Sequence, residues 1–201
     1  MTLKLLFVGD GARDEAAVPQ LVAGILDTEV GGDFEPWARL HRRGAGRGLG
    51  RKLLFSIRQA LDRGSVGVVA TVDADQFDAS GKLPELKAAR EQDRAKGHQL
   101  PAALGEAIPH LEAWLIDDPV AVRTAFGIPS STEIMSPTKL KSPKDELNRL
   151  HGECGVARPV VEVLAAIACG VKSERCIHGE HTGFRQFAAE VASEIGPLAK
   201  S

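Results

Sequence analysis

Two near-continuous apolar runs, Leu3 to Val8 and Val66 to Val72, constrain this chain most, because each breaks off in a carboxylate. An apolar run without polar alternation suits a strand covered on both faces, as strands are in a parallel sheet. After the first run comes "DEAAVPQLVAGILD", where Val18, Leu21, Val22, Ile25 and Leu26 recur at helical spacing. Pro19 predicts that this helix starts late or kinks there. "TEVGGDFEP" reads as a turn-rich passage, and a glycine-spaced basic segment then leads into an amphipathic helix around Leu53 to Leu61. Leu83 to Lys96 favours helix, and His98 to Gly105 a short strand or connection. The order strand, helix, helix, strand, helix predicts an α/β domain: a mostly parallel sheet flanked by helices, with right-handed crossovers.

From Ala107 onward the pattern turns helical. "SPKDELNRL" reads as a helix entered through Ser142 and Pro143, with Asp145 and Glu146 at its positive end. Val160 to Cys169 and Phe184 to Ile195 are two further helical stretches, and residues 130–143 are expected to form a flexible loop. The expected organisation is one domain over residues 1–201, with a core over about 1–118 and a mainly α-helical extension over about 119–201.

A chain of 201 residues with 43% hydrophobic content can bury one sizeable core, and a net charge of -2 argues against a protein that coats nucleic acid without a localised basic groove. Three cysteines without CxxC spacing, and an N-terminus without a basic region and apolar leader, predict a cytoplasmic protein with reduced thiols. No apolar run approaches the roughly 20 residues that span a bilayer, so no membrane association is expected.

Ligands of parallel α/β sheets bind outside the carboxyl ends of the strands. Asp10 and Asp73 stand at two such ends, Asp14 near the start of the first helix, and Asp75 two residues beyond Asp73, on the same side if the strand stays extended. Each alone is an ordinary cap or turn residue. Together they crowd like charge on one rim, which a cation or a raised pKa must relieve, and hard oxygen donors select Mg²⁺ or Mn²⁺ over zinc. Asp10 is not part of a first-strand DxD, since Ala12 follows two residues on, which disfavours a haloacid-dehalogenase type of phosphohydrolase.

"DGARDEAAVPQLV" resembles the N-terminal Toprim motif, "VVATVDADQFD" resembles its DxD strand, and "IPHLEAWLIDD" is similar to a segment of a bacterial Toprim-like family related to overcoming-lysogenization-defect nucleases. With weaker likenesses in "SPKDELNRL" and "TGFRQFAAEV", the resemblance covers roughly residues 3–195. It implies a Toprim-like, Rossmann-like fold and divalent-metal chemistry on phosphodiesters. By position it places Asp10, Asp14, Asp73, Asp75 and Glu112 as metal ligands, with Asp10 and Asp73 also catalytic. Asp10 departs from the family's glutamate and is one methylene shorter. The resemblance further implies a nucleic-acid substrate, DNA ahead of RNA, and an ATPase partner in phage defence or DNA processing. The alternatives are a metal- or nucleic-acid-binding module without turnover, and a small-molecule phosphohydrolase. The chain has no tyrosine, so a tyrosine-based strand-passage mechanism is excluded.

"RLHRRGAGRGLGRK" concentrates Arg42, Arg43, Arg47, Arg51 and Lys52 among glycines, a pattern suited to phosphate contacts, or else a solvated loop. It fits neither GxGxxG nor GxxxxGK[ST]. Lys144, in "SPKDE", is a candidate stabiliser of transition-state charge, with a surface helix-start lysine as the ordinary alternative. Cys176, His178 and His181 lack a fourth ligand for a zinc site. Trp114 and Phe184 sit in apolar helical contexts that read as core.

Overall fold

The computed structural model describes residues 2–200. Four parallel strands, β1 (Leu3–Gly9), β2 (Val30–Pro36), β3 (Gly67–Asp73) and β4 (Ala102–Ala107), form one sheet in the order β2-β1-β3-β4. Both faces are covered, as the unbroken apolar runs require: Leu5 and Phe7 of β1 join one core cluster, Leu6 and Val8 the other. The chain therefore has a Rossmann-like α/β fold.

Helix α1 (Ala12–Leu26) connects β1 to β2 and turns Ala17, Val18, Leu21 and Val22 inward. It starts well before Pro19 and runs through it, so the late start expected of that proline does not occur. The chain then passes through α2 (Trp37–Leu40) and a wide turn over His41–Ala45 to α3 (Leu49–Asp62), which leads to β3 on the other side of β1. Gly44 and Gly46 close that turn at φ 92° and 87°, values that side chains disfavour. Helix α4 (Lys82–Arg94) joins β3 to β4. Leu53, Ile57 and Ala60 of α3 and Leu83 and Leu86 of α4 share one cluster with Trp37 and Leu40, while the α1 residues lie in the other. The chain direction thus reverses between β1 and β3, and that is the switch point of the sheet.

Strand β2 corrects the reading of residues 28–36 as a turn-rich passage. It is an edge strand bonded only to β1, from Leu3↔Val30 to Gly9↔Pro36, with Gly32 and Asp33 exposed. A strand paired on one side needs no continuous apolar run.

The second half is helical, as expected: α5 (Leu111–Ile116), α6 (Pro119–Phe126), α7 (Pro143–Glu153), α8 (Val160–Gly170), α9 (Gly179–Thr182), α10 (Phe184–Glu194) and α11 (Gly196–Ala199). Ser142 caps α7 by accepting the Asp145 N–H at 3.2 Å. These helices share the α1-side core with the sheet, through Trp114, Leu147, Ile167, Phe184 and Phe187. Trp114 stacks on Phe187 at 4.7 Å and donates from its indole to the Thr182 carbonyl, so it and the buried Phe184 are core residues. Between α6 and α7 only a short 3-10 turn, Pro137–Lys139, is regular. Among the described residues, no helix is long and apolar enough to cross a membrane.

Candidate functional site

Because every strand is parallel, the segments after β1, β2, β3 and β4 all open at one edge of the sheet. Asp10 follows β1 and Asp73 ends β3, the two strands flanking the switch point, and the Asp73 N–H reaches Asp10 Oδ2 at 3.3 Å. A pocket of about 370 Å³ opens there, lined by Asp10, Asp14, Asp73, Glu112, Arg13 and Lys144 together with Gly11, Ala12 and Val161. Four of the five acids singled out in the sequence thus meet, joined by Lys144 from the first turn of α7. Glu112 arrives in the first turn of α5, which starts just after β4.

Burial and mutual repulsion dominate the electrostatics. Burial pushes Asp73 up to about 8, and the charges of Asp14, Asp10 and Glu112 add to the rise, opposed by the Leu111 N–H that Asp73 accepts at 2.9 Å. Burial likewise raises Asp14 to about 7 against the pull of the Asp10 N–H, with Asp10 and Glu112 adding repulsion. Asp10 is raised by burial, while the Asp73 backbone bond and the charges of Lys82 and Lys52 draw it down.

Asp75 stands apart. The strand does not stay extended: Ala74 is buried, Asp75 turns into the left-handed region at φ 61°, and its side chain is 68% exposed. Instead of entering the pocket it pairs with Lys82 Nζ at 2.6 Å, and His110 Nε2 lies 4.0 Å from its other oxygen. Asp75 thus does not line the pocket, although its charge still reaches Asp10 and adds to that residue's rise.

Two residues at the site carry no signal in the sequence. Arg13, between the acids of the first motif, pairs with buried Glu112 and donates to Asn148 Oδ1 of α7 at 2.8 Å, tying α1, α5 and α7 together. Lys82 donates to the Asp73 carbonyl as well as to Asp75. Arg13 and Glu112 are 99 positions apart, a separation at which no local spacing rule operates.

The basic segment follows β2 and so opens at the same edge. Arg42, Arg47 and Arg51 are exposed, and half-buried Lys52 in the first turns of α3 is near enough for its charge to act on Asp10. Arg43 is committed elsewhere: with Arg63 it neutralises Glu35, buried at the end of β2.

The donor chemistry suits a hard divalent cation, since crowded carboxylates are what such an ion relieves. The arrangement does not converge on one: among the described residues no three His, Cys, Asp or Glu side chains stand as a ligand set. Arg13 holds Glu112, and Asp14 spends one oxygen on the Asp10 N–H at 2.6 Å. Fold and site together define a Rossmann-like protein with a carboxylate pocket at its switch point. The chain matches no protein-family profile, no curated protein and no solved structure.

Proposed function

We propose that this protein hydrolyses phosphodiesters of nucleic acid with the help of Mg²⁺ or Mn²⁺, in the manner of the Toprim-like nucleases its sequence resembles. The observation that carries the reading is the meeting of Asp10, Asp14, Asp73 and Glu112 with Lys144 in one open pocket at the switch point. Asp10, Asp73 and Glu112 are the groups that would hold the ion, once Arg13 releases Glu112 and the three carboxylates close on it; when bound it would polarise a phosphoryl oxygen and acidify a water. Asp14 fixes the Asp10 backbone. Lys144 places a positive charge where negative charge grows on the phosphate during attack. Exposed Arg42, Arg47 and Arg51 attract the polyanion along the same edge. The Toprim resemblance adds an ATPase partner to the proposal.

The test is cleavage of labelled single- and double-stranded DNA and RNA with Mg²⁺ or Mn²⁺ by the wild type, Asp73→Asn and Lys144→Ala. Metal-dependent cleavage lost in Asp73→Asn and reduced in Lys144→Ala is the expected result. A second reading, a binding module without turnover, draws on the pairing of Glu112 with Arg13 and the engagement of Asp14 by backbone. Nucleic-acid binding without cleavage under every metal and substrate tried would replace the first reading with the second.

A further inference from the structure

We propose that Asp75 is a positioning residue rather than a metal ligand, and that the group it positions, Lys82, binds a phosphate of the polynucleotide next to the one being cleaved. The inference rests on the phosphodiester substrate proposed above and extends it to a strand occupying more than the pocket.

Lys82 is the first residue of α4, which begins after the loop leaving β3. Its ammonium is held at two points, by the Asp73 carbonyl at 2.6 Å and by Asp75 Oδ2 at 2.6 Å. That leaves the third N–H of the ammonium for an anion. The left-handed backbone of Asp75 is what directs its carboxylate to Lys82, and the Asp75 N–H is fixed in turn by the Pro109 carbonyl at 3.0 Å. A strained turn of this kind in a non-glycine residue persists where the surroundings enforce it. Lys82 does not line the acid pocket, yet its charge reaches Asp10, which does. Lys52 reaches the same carboxylate from α3. Lys82 Nζ bonds the carbonyl of Asp73 without lining the pocket that Asp73 and Lys144 share, so a phosphate on Lys82 would sit beside that pocket rather than in it. That layout suits successive phosphates of one strand better than a single phosphomonoester.

Lys82 and Asp75 have side chains 32% and 68% exposed, so substitutions there leave the core intact. The experiment measures affinity for a short labelled single-stranded DNA by anisotropy, and Mn²⁺ binding by electron paramagnetic resonance, in the wild type, Lys82→Met, Asp75→Asn, the double variant and Asp73→Asn. Lys82→Met is expected to weaken DNA binding by about tenfold, the order of one charge-assisted contact. Asp75→Asn is expected to weaken it less and to add nothing in the Lys82→Met background. Mn²⁺ binding is expected to survive in Asp75→Asn and to fall in Asp73→Asn. Loss of Mn²⁺ in Asp75→Asn, unchanged DNA affinity in Lys82→Met, or no DNA binding by the wild type would each overturn the inference. If the wild type binds no Mn²⁺ and cleaves nothing while Lys82→Met still weakens DNA binding, the nuclease reading fails and the phosphate subsite stands.

Discussion

The Asp14 carboxylate accepts the backbone N–H of Asp10 at 2.6 Å, so one acid of the pocket holds another in place. Gly9 makes room for the contact: a Cβ there would lie 2.5 Å from Asp14 Oδ2. Removing the acceptor strands a part-buried N–H, at a cost of about 1–3 kcal/mol. Asp14→Ala is therefore expected to lower Tm by roughly 2–12 °C, at about 2–4 °C per kcal/mol for a chain of this size. Asp14→Asn keeps an acceptor and, at pH 5 where Asp14 holds its proton, should melt near the wild type. Equal melting of all three proteins would mean that the bond does not organise the turn.

The crowded acids make stability depend on pH in a definite direction. Asp73, pushed to about 8, and Asp14, pushed to about 7, retain protons in the folded chain that the unfolded chain releases near pH 4. Their contribution to stability is complete below the unfolded pKa and is lost as pH rises through the folded values. Wild-type Tm is expected to decline between pH 5 and pH 8.5, by roughly 3 °C or more, on the scale of one kcal/mol or above. Asp73→Asn, which keeps an acceptor for the Leu111 N–H, should show a shallower decline and melt above the wild type at pH 8.5. Parallel melting curves of the two proteins across that range would rule out repulsion at Asp73.

What the sequence made legible follows from how local each signal is. The buried runs of β1 and β3 and the acids at their ends are local, and so is the Ser142–Pro143 entry to α7; all appear where expected. Strand β2 escaped because an edge strand with exposed Gly32 and Asp33 lacks the apolar signature of its neighbours. Asp75 escaped because DxD spacing places two acids on one side only if the backbone stays extended, and here it turns at φ 61°. Arg13 and Lys82 acquire their roles from partners that only the folded chain supplies. Arg43 illustrates the converse, a residue with the right composition around it whose charge is used to neutralise Glu35.

Arg13 competes with any cation for Glu112. Its guanidinium bridges Glu112 and Asn148, so a positive charge of the chain itself already occupies that buried carboxylate. Arg13→Gln removes the positive charge from Glu112 and gives up the bond to Asn148. Mn²⁺ affinity is expected to rise by about tenfold, since a charge-assisted hydrogen bond no longer has to be exchanged for the ion. Isothermal titration of both proteins reads this directly. Weaker Mn²⁺ binding in Arg13→Gln would show instead that Arg13 positions Glu112 for the ion.

The helical half is fastened by a residue outside the acid pocket. Asp118 is fully buried and caps α6 by accepting the N–H groups of Val120 and Ala121, both at 3.1 Å. It also accepts the Lys172 N–H at 2.9 Å and pairs with Arg175, whose guanidinium in turn donates to the Gly170 carbonyl at the end of α8. One carboxylate thus ties α6 to the segment after α8. Arg175 is partly exposed and keeps the Gly170 carbonyl, so the main loss on deleting Asp118 is the acceptor of the buried Ala121 N–H, at about 1–3 kcal/mol. Asp118→Ala is expected to lower Tm by roughly 2–12 °C. Asp118→Asn, which keeps one acceptor oxygen but not the charge, should fall between. Asp118 does not line the acid pocket, so Mn²⁺ binding by the folded Asp118→Asn protein should match the wild type. A loss of Mn²⁺ affinity there would show that the fastening of the helical half also sets the geometry of Glu112, which lies one short helix upstream of Asp118.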